Sequence, residues 1–568
     1  MNTTVVSQKG STGLTYVAAF LSVALAMTAY AIPGALNGTF TAQFHTSGAG
    51  LTWITAIFEL GIVAFELTFG LLGDMFGRKR LLILGSTLVV VGAVLSAVAT
   101  TTGFMIFAQA VIGIGSGMLF PIGLSMVAAL TDDHAKRSRI IATWAGFLSL
   151  GAVISPVLST QTQVHFSTAS FAGWRVTYWI IVAVALVLVA LSFGTRDSSA
   201  PAGRKLDLAG QVTFALGLIG VLYATVTAVD SGFGDVKVIV GYVAGAILLA
   251  AFIIVELRAE NPLLDLSLFA NSHFTIGSIV AVIGMFAFLA TCFSTSISVG
   301  ALAQAPVWAV GVLFVFIQGP AFVLSPLVGW LIHHVSPRWV LTAGFALIAA
   351  AAYWLSSFTL GVPHAFGGPS WTAWIAPLLL LGIGFALTAG SITAVAINNV
   401  APHQIGMASA TTSVMRDLGF TLGPVIGSVV AFSLGGSQFA TKIGGILTGA
   451  KLPADAVAGL SQVPPLGWLS GWDGVVGQFS GQALASGAPQ QAVTGMTSAL
   501  NTPATKGAIQ GIADSSLGSG FGTVYLIAGI AATVCAALTL FIGRASNTPV
   551  TDDEIAALVG SDTTVEQA

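Results

Sequence analysis

Gly70-Leu71-Leu72-Gly73-Asp74-Met75-Phe76-Gly77-Arg78-Lys79-Arg80 joins two long apolar runs, residues 51–72 and 81–101. Each run supplies the roughly 20 predominantly apolar residues that a helix needs to cross a bilayer. Between them an acid, a turn-permitting glycine and three consecutive cations crowd into residues 74–80. A soluble helical hairpin would spread its charges along its exposed faces. Here, apart from Glu59 and Glu66, charge is confined to the turn, as expected of a loop that reverses at a membrane surface.

The rest of the chain repeats this pattern. Apolar stretches cover approximately 14–36, 51–72, 81–101, 104–128, 140–161, 173–194, 208–229, 237–257, 274–297, 307–333, 338–359, 373–395, 406–433 and 521–543, fourteen in all. Only 7% of the 568 residues are charged, against roughly 25% in a soluble domain. The hydrophobic share is 55% and the mean hydropathy +0.93, so lipid is the solvent this chain fits. The runs are too long and too evenly apolar for barrel strands, which alternate over about 10 residues, and an all-α membrane protein is expected. The first run is read as a membrane span and not as a cleavable signal, because its flank carries only Lys9 and no small-residue cleavage site follows.

A net charge of −2 excludes a nucleic-acid binder, which needs clustered Lys and Arg. The two cysteines, Cys292 and Cys535, lie inside apolar runs, which rules out a disulfide scaffold or a Cys-based zinc site. With the N-terminus inside, thirteen of the 19 basic residues fall on inner loops and ends and five on the outer side, with Arg416 left within a span. That asymmetry places both termini in the cytoplasm.

Two internal echoes divide the chain. Gly329-Trp330-Leu331-Ile332-His333-His334-Val335-Ser336-Pro337-Arg338 follows span 10 as the quoted loop follows span 2: Gly329 meets Gly70, Leu331 meets Leu72 and Arg338 meets Lys79. Gly151-Ala152-Val153-Ile154-Ser155-Pro156 in span 5 is echoed by Gly419-Phe420-Thr421-Leu422-Gly423-Pro424 in span 13. Both echoes fall eight spans apart. Spans 1–6 and 9–14 then form equivalent six-helix halves, with spans 7–8 inserted, and such paired bundles expose a midplane site alternately by rocking. The expected divisions are an N-terminal bundle at 14–194, a linker with two extra helices at 195–257, a C-terminal bundle at 258–543 and a cytoplasmic tail at 544–568. Gly151, Pro156, Gly419, Gly423 and Pro424 are candidates for close helix packing.

Gly70, Leu72, Asp74, Gly77, Arg78 and Lys79 resemble the signature loop of the major facilitator superfamily. Trp174-Arg175, Leu206-Asp207 with Gly210, Glu260-Asn261-Pro262-Leu263, and Gly406-Met407-Ala408-Ser409 with Arg416-Asp417-Leu418-Gly419 resemble the 14-helix drug:proton antiporter family. The resemblance covers nearly all of 14–543. It implies the major facilitator fold with two additional helices, and export of drugs in exchange for protons. It also implies that Gly70, Asp74, Gly77, Arg78 and Lys79 gate: Asp74 pairs with Arg78 or with the neighbouring half and latches one rocked state.

Four formal charges fall well inside the spans: Glu59, Glu66, Arg416 and Asp417. Each costs at least about 2.5–3.5 kcal/mol at the bilayer centre, so each is expected to meet a cavity or a partner. Glu59 and Glu66 are seven apart and share one face of span 2, a spacing that suits a proton path. Arg416 and Asp417, about 100° apart on a helix, do not face each other squarely. Arg416 can pair with a glutamate across the interface, meet an anionic substrate group, or simply fix span 13.

The family's acid in span 1 falls at Ala24, its span-4 arginine at Gln109, and its span-5 Gly-Pro at Ser155-Pro156. Either Glu59 and Glu66 take over coupling or the protein is no proton antiporter. Tyr30, Phe58, Gln109, Trp144, Phe286, Phe293 and Ser294 are the candidate lining of a substrate cavity, one whose mostly apolar wall suits bulky lipophilic or cationic compounds. Residues 434–520 form an outer insertion rich in Gly, Ala, Ser and Gln, read equally as a lid or a loosely ordered loop.

No His-Glu-x-x-His and no phosphate loop ending in Gly-Lys-Ser/Thr occurs, so an enzyme or an ATP-driven pump is not expected. The expected partners are a small amphipathic organic substrate, protons and membrane lipid, with no nucleic acid, ATP, cofactor or metal, and a monomer as the working form. A lipid or metabolite carrier working as a uniporter or with another ion, and a non-transporting receptor or scaffold, remain as alternatives.

Overall fold

The computed structural model describes residues 5–6, 10–130, 134–199, 206–259, 262–303, 305–359, 371–398, 400 and 405–542. Several residues singled out above lie outside them: Lys9, Glu260, Asn261 and the 544–568 tail, together with the side chain of His333. Fourteen helices among the described residues are long and apolar enough to cross a membrane, and they fall where the apolar runs fall.

The first six are α1 (Thr12–Phe44), α2 (Gly48–Phe76), α3 (Arg78–Val98), α4 (Thr102–Ala128), α5 (His134–Phe166) and α6 (Trp174–Phe193). A hairpin follows, α7 (Leu208–Ser231) and α8 (Val236–Glu256). Then come α9 (Ser272–Ile297), α10 (Val307–His334), α11 (Pro337–Thr359), α12 (Ile375–Asn398) and α13 (Ile405–Gly449). Four short helices, α14 (Ala454–Ser461), α15 (Pro465–Ser470), α16 (Trp472–Ala485) and α17 (Gln490–Leu500), precede the last long one, α18 (Pro503–Thr539). A two-stranded ribbon pairs β1 (Val5–Val6) with β2 (Ser198–Ser199).

Helix starts are chemically marked. Ser47 accepts from Gly50 N at 3.2 Å, Thr101 from Phe104 N at 3.3 Å and Asp207 from Gly210 N at 2.8 Å, each satisfying an amide that the first turn leaves orphaned. The turn between α2 and α3 is made at Gly77, whose φ of +97° suits glycine and is costly for other residues.

Helices α1–α6 pack chiefly among themselves, as do α9–α13 with α18. The two groups meet where α2 crosses α13, α5 crosses α10 and α1 crosses α9. Several of the echoed glycines sit at close crossings: a Cβ on Gly151 would run into the backbone of Ala24 in α1, and one on Gly419 or Gly423 into the backbone of α9. At the end of the molecule away from the 74–80 loop the groups are tied together. Asn37 Nδ2 donates to Ser296 Oγ at 3.1 Å, Ser296 donates to the Gly34 carbonyl, and Gly38 lies against the backbone of Gly300 in a π turn, Ser298–Leu302, that closes α9.

Of the two sequence readings of the outer insertion, the loosely ordered loop is set aside. Residues 434–520 are not a loose loop, because α13 continues to Gly449 and α18 begins at Pro503. At 1.5 Å per residue the 45 residues of α13 reach about 67 Å, against a hydrocarbon core of about 30 Å. The protruding ends of α13 and α18 carry α14–α17 as a helical cap with its own apolar centre. Trp468 is fully buried against Trp472, ring centroids 5.1 Å apart, and Trp472 Nε1 donates to Asn501 Oδ1 at 2.8 Å. The Gly- and Ala-rich composition had hidden this small core.

Candidate functional site

The four intramembrane charges converge where α2 meets α13. Glu59 is 5% exposed and Asp417 likewise, so neither faces acyl chains. The ring of Tyr30 on α1 lies 5.4 Å from that of Phe58, and its hydroxyl is a hydrogen-bond partner of Glu59. Arg416 holds Asp417 at two points, Nε to Oδ1 at 2.7 Å and Nη2 to Oδ2 at 3.2 Å. Adjacent positions therefore do pair here, contrary to the helical-wheel expectation, because the long guanidinium stem folds back over its own helix. Glu66 lies beside Asp417 and Arg416 from α2.

Three carboxyl groups, Glu59, Glu66 and Asp417, face one guanidinium. Fully ionised, the group would hold two uncompensated negative charges in a medium where each is expensive. It becomes neutral by taking up two protons, or one proton and a monovalent cationic guest.

The flank of the cluster is closed by α7. Ala56, Leu60 and Val63 of α2, Leu218, Leu222 and Val226 of α7, and Val414 and Val425 of α13 form one buried apolar cluster. Gln211 on α7 donates to the Ala64 carbonyl and accepts from Thr68, both on α2. At the other end of the same helix pair Ser47 donates to Asp230 Oδ2 at 2.8 Å. Sequence reading missed Gln211, Asp230 and Asn37, since each is a lone polar residue whose partner lies on a distant helix.

The signature loop is tied to the segment that follows α6. Arg78, itself buried, donates to Asp74 Oδ1 at 2.8 Å, to the Ser125 carbonyl at 3.2 Å and to Ser198 Oγ at 3.3 Å. Lys79 N donates to Asp197 Oδ1 at 3.2 Å, and its Nζ to the Phe193 carbonyl at 2.6 Å. Of the two partners expected for Asp74, the structure places Arg78 against it. Gly70 lies near Pro121 of α4, and Gly77 against the Asp197 carboxylate.

The remaining cavity candidates separate. Gln109 is fully buried among α3, α4 and α6, donating to Tyr178 Oη at 2.9 Å and to Ser96 Oγ at 3.2 Å. Replacing a charge by an amide at this position leaves a group that neighbours within the bundle can satisfy. Phe58 and Phe293 are buried, whereas Phe286 is half-buried. Ser294 is buried and its hydroxyl has no partner among the described residues. Trp144, half-buried, brings its Nε1 beside Gly123 and Ser22. Pro156 lies at the α5–α10 crossing against Gly311, and Pro424 within α13. At the tied end a cavity of about 420 Å³ is lined by Thr39 and Gln43 of α1, Gln163 of α5 and Val307 and Val310 of α10.

A model of the Major Facilitator Superfamily matches residues 18–424. The chain belongs to that superfamily. It is therefore a multi-pass membrane transporter, a superfamily member with fourteen membrane-length helices among its described residues. Curated relatives include the multidrug resistance protein Stp of Mycobacterium tuberculosis, 26% identical over 391 residues, which are 68% of this chain and 70% of that one. The methyl viologen resistance protein SmvA of Salmonella typhimurium is 25% identical over 68% of this chain and 76% of its own. Multidrug resistance protein 3 of Bacillus subtilis is 24% identical over 70% and 75%. Among solved structures, the peptide transporter POT in complex with sulfate superposes with a TM-score of 0.56 at 14% identity, covering 95% of this chain and 97% of its own. Tetrameric PepTSo2 gives 0.52 at 17% identity, covering 93% and 98%. These structures share the superfamily fold.

Proposed function

We propose that this transporter exports amphipathic, drug-like organic compounds across the cell membrane in exchange for protons held by Glu59, Glu66 and Asp417. The observation that carries the reading is the cluster of three acids and one guanidinium between α2 and α13. Such a group is neutral with two protons bound, and it can trade one of them for a cationic substrate at little electrostatic cost. The names of relatives point the same way, two being multidrug resistance proteins and one a methyl viologen resistance protein.

In this reading the moving bodies are 14–194 and 258–543, joined through 195–257, and the basic ends face the cytoplasm. The state described is the one closed at the outer end by Asn37, Ser296 and Gly300. Rocking opens that end and separates α2 from α13, exposing Glu59 and Glu66 to protons from outside. Tyr30, Phe58, Phe286 and Phe293 supply the aromatic side of the substrate path. Asp74, Gly77, Arg78 and Lys79 fix the base of α2 and α3 and set the energy of the closed inner state.

Efflux of a fluorescent lipophilic cation from proteoliposomes with an imposed pH gradient tests this. Wild type is expected to move the dye faster with the gradient than without it. Glu59→Gln and Glu66→Gln are each expected to lose about tenfold of that gradient-driven flux, the effect of removing about 1.4 kcal/mol of coupling. Full gradient-driven flux in both variants would overturn the assignment of the coupling acids.

A further inference from the structure

Helix α7 touches both halves, but by different means. Toward α2 the apolar packing on Ala56, Leu60 and Val63 is joined by polar bonds at both ends: Gln211 with Ala64 and Thr68 near the basic end, and Asp230 with Ser47 at the other, 2.8 Å apart. Both groups of the Gln211 amide are used, and Gln211 and Thr68 are both buried. Toward α13 the shared surface is apolar, with Leu218, Leu222 and Val226 in one cluster with Val414 and Val425. Directional bonds at two points about 19 residues apart fix a helix against translation and rotation, because both would break together. An apolar face has no such register and can slide by small steps.

We infer that the α7–α8 hairpin moves with the N-terminal half, and that Gln211 and Asp230 are the residues that position it there. The hairpin is then a fixed wall on α2 against which α13 slides, and it keeps the α2–α13 seam closed to lipid while the acids inside it change partners. The division into two bundles and a neutral linker is replaced by eight helices moving against six. This rests on the rocking exchange proposed above.

Paired cysteines joined by a short bifunctional thiol reagent test the assignment, and the native Cys292 and Cys535 are both buried. The pairs Thr68→Cys with Gln211→Cys and Ser47→Cys with Asp230→Cys join α7 to α2. Leu222→Cys with Val425→Cys joins α7 to α13. Bridging either α2–α7 pair is expected to leave dye flux within about twofold of the unbridged variant, whereas bridging α7–α13 is expected to lower it about tenfold or more, reversibly on reduction. A substrate-dependent bridging rate is expected at the α7–α13 pair and a constant one at the α2–α7 pairs. Loss of flux on bridging α2–α7, or an α7–α13 bridge without effect, overturns the inference. So does a bridging rate at α7–α13 that ignores substrate, a result that needs no flux measurement. Absence of gradient-driven flux in unbridged wild type would instead count against the export reading.

Discussion

Arg416 grips Asp417, the residue directly after it, with its Nε 2.7 Å from Oδ1 and its Nη2 3.2 Å from Oδ2. Because both belong to α13, the pair travels intact whenever α13 parts from α2. The pair keeps its own compensation in that motion, whereas the two glutamates of α2 lose the guanidinium they face. In the exchange proposed above, the cation then stays with α13 and the glutamates of α2 take up most of the change in protonation.

Asp417→Asn strips the guanidinium of its partner. Removing one member of a buried ion pair typically costs about 3–5 kcal/mol, and with 29% of the Arg416 side chain exposed the lower end of that range is expected. Thermal unfolding in detergent should show a lower midpoint for Asp417→Asn than for the double variant Arg416→Gln/Asp417→Asn, in which neither charge is orphaned. Both should fail in gradient-driven flux.

Tyr30→Phe separates two roles of one side chain. The ring contact with Phe58 stays, while the hydroxyl that meets Glu59 goes. The expected outcome is a KM for the dye within about twofold of wild type and a maximal rate several-fold lower, the signature of an interaction that serves turnover and not binding. Tyr30→Ala should raise KM as well.

Gly77→Ala probes the turn of the signature loop. Its φ of +97° costs a residue with a Cβ about 1–2 kcal/mol, and that Cβ would lie about 3 Å from the Asp197 carboxylate. Lower thermal stability and slower flux are expected. Asp197→Ala in the same chain should relieve the clash but not the backbone strain, so the double variant should recover only in part.

Gln109→Leu leaves Tyr178 Oη and Ser96 Oγ without the amide they share. The cost of orphaning such buried groups is about 1–3 kcal/mol. A lower unfolding midpoint is expected, with the ratio of fluxes for two chemically different dyes unchanged. A changed ratio would place Gln109 on the substrate path.

The fourteen membrane helices were legible because lipid imposes one rule on every span, about 20 apolar residues without charge, and the basic turn at 74–80 announced its own geometry. The acids Glu59, Glu66 and Asp417 were legible for the same reason, as charges where none is cheap. What sequence concealed was pairing. Nothing local says that Gln211 answers Thr68, that Asn37 meets Ser296, or that Arg416 bends back to Asp417 instead of reaching across. Gln109 was read from the charge that relatives carry at its position, whereas an amide finds its partners inside the bundle. The cap was hidden by composition, its core resting on a few residues such as Trp468, Trp472 and Leu460 among many glycines and alanines.

In the orientation proposed above, with the basic end in the cytoplasm, α13 and α18 rise beyond the outer leaflet as a stiff fin crowned by α14–α17. That fin is a handle. A nanobody added to the medium would find a folded, lipid-free epitope on intact cells, remote from the acids and aromatics of the transport path. The same rigid feature gives an otherwise bilayer-buried particle of modest mass an asymmetric landmark for alignment in electron microscopy.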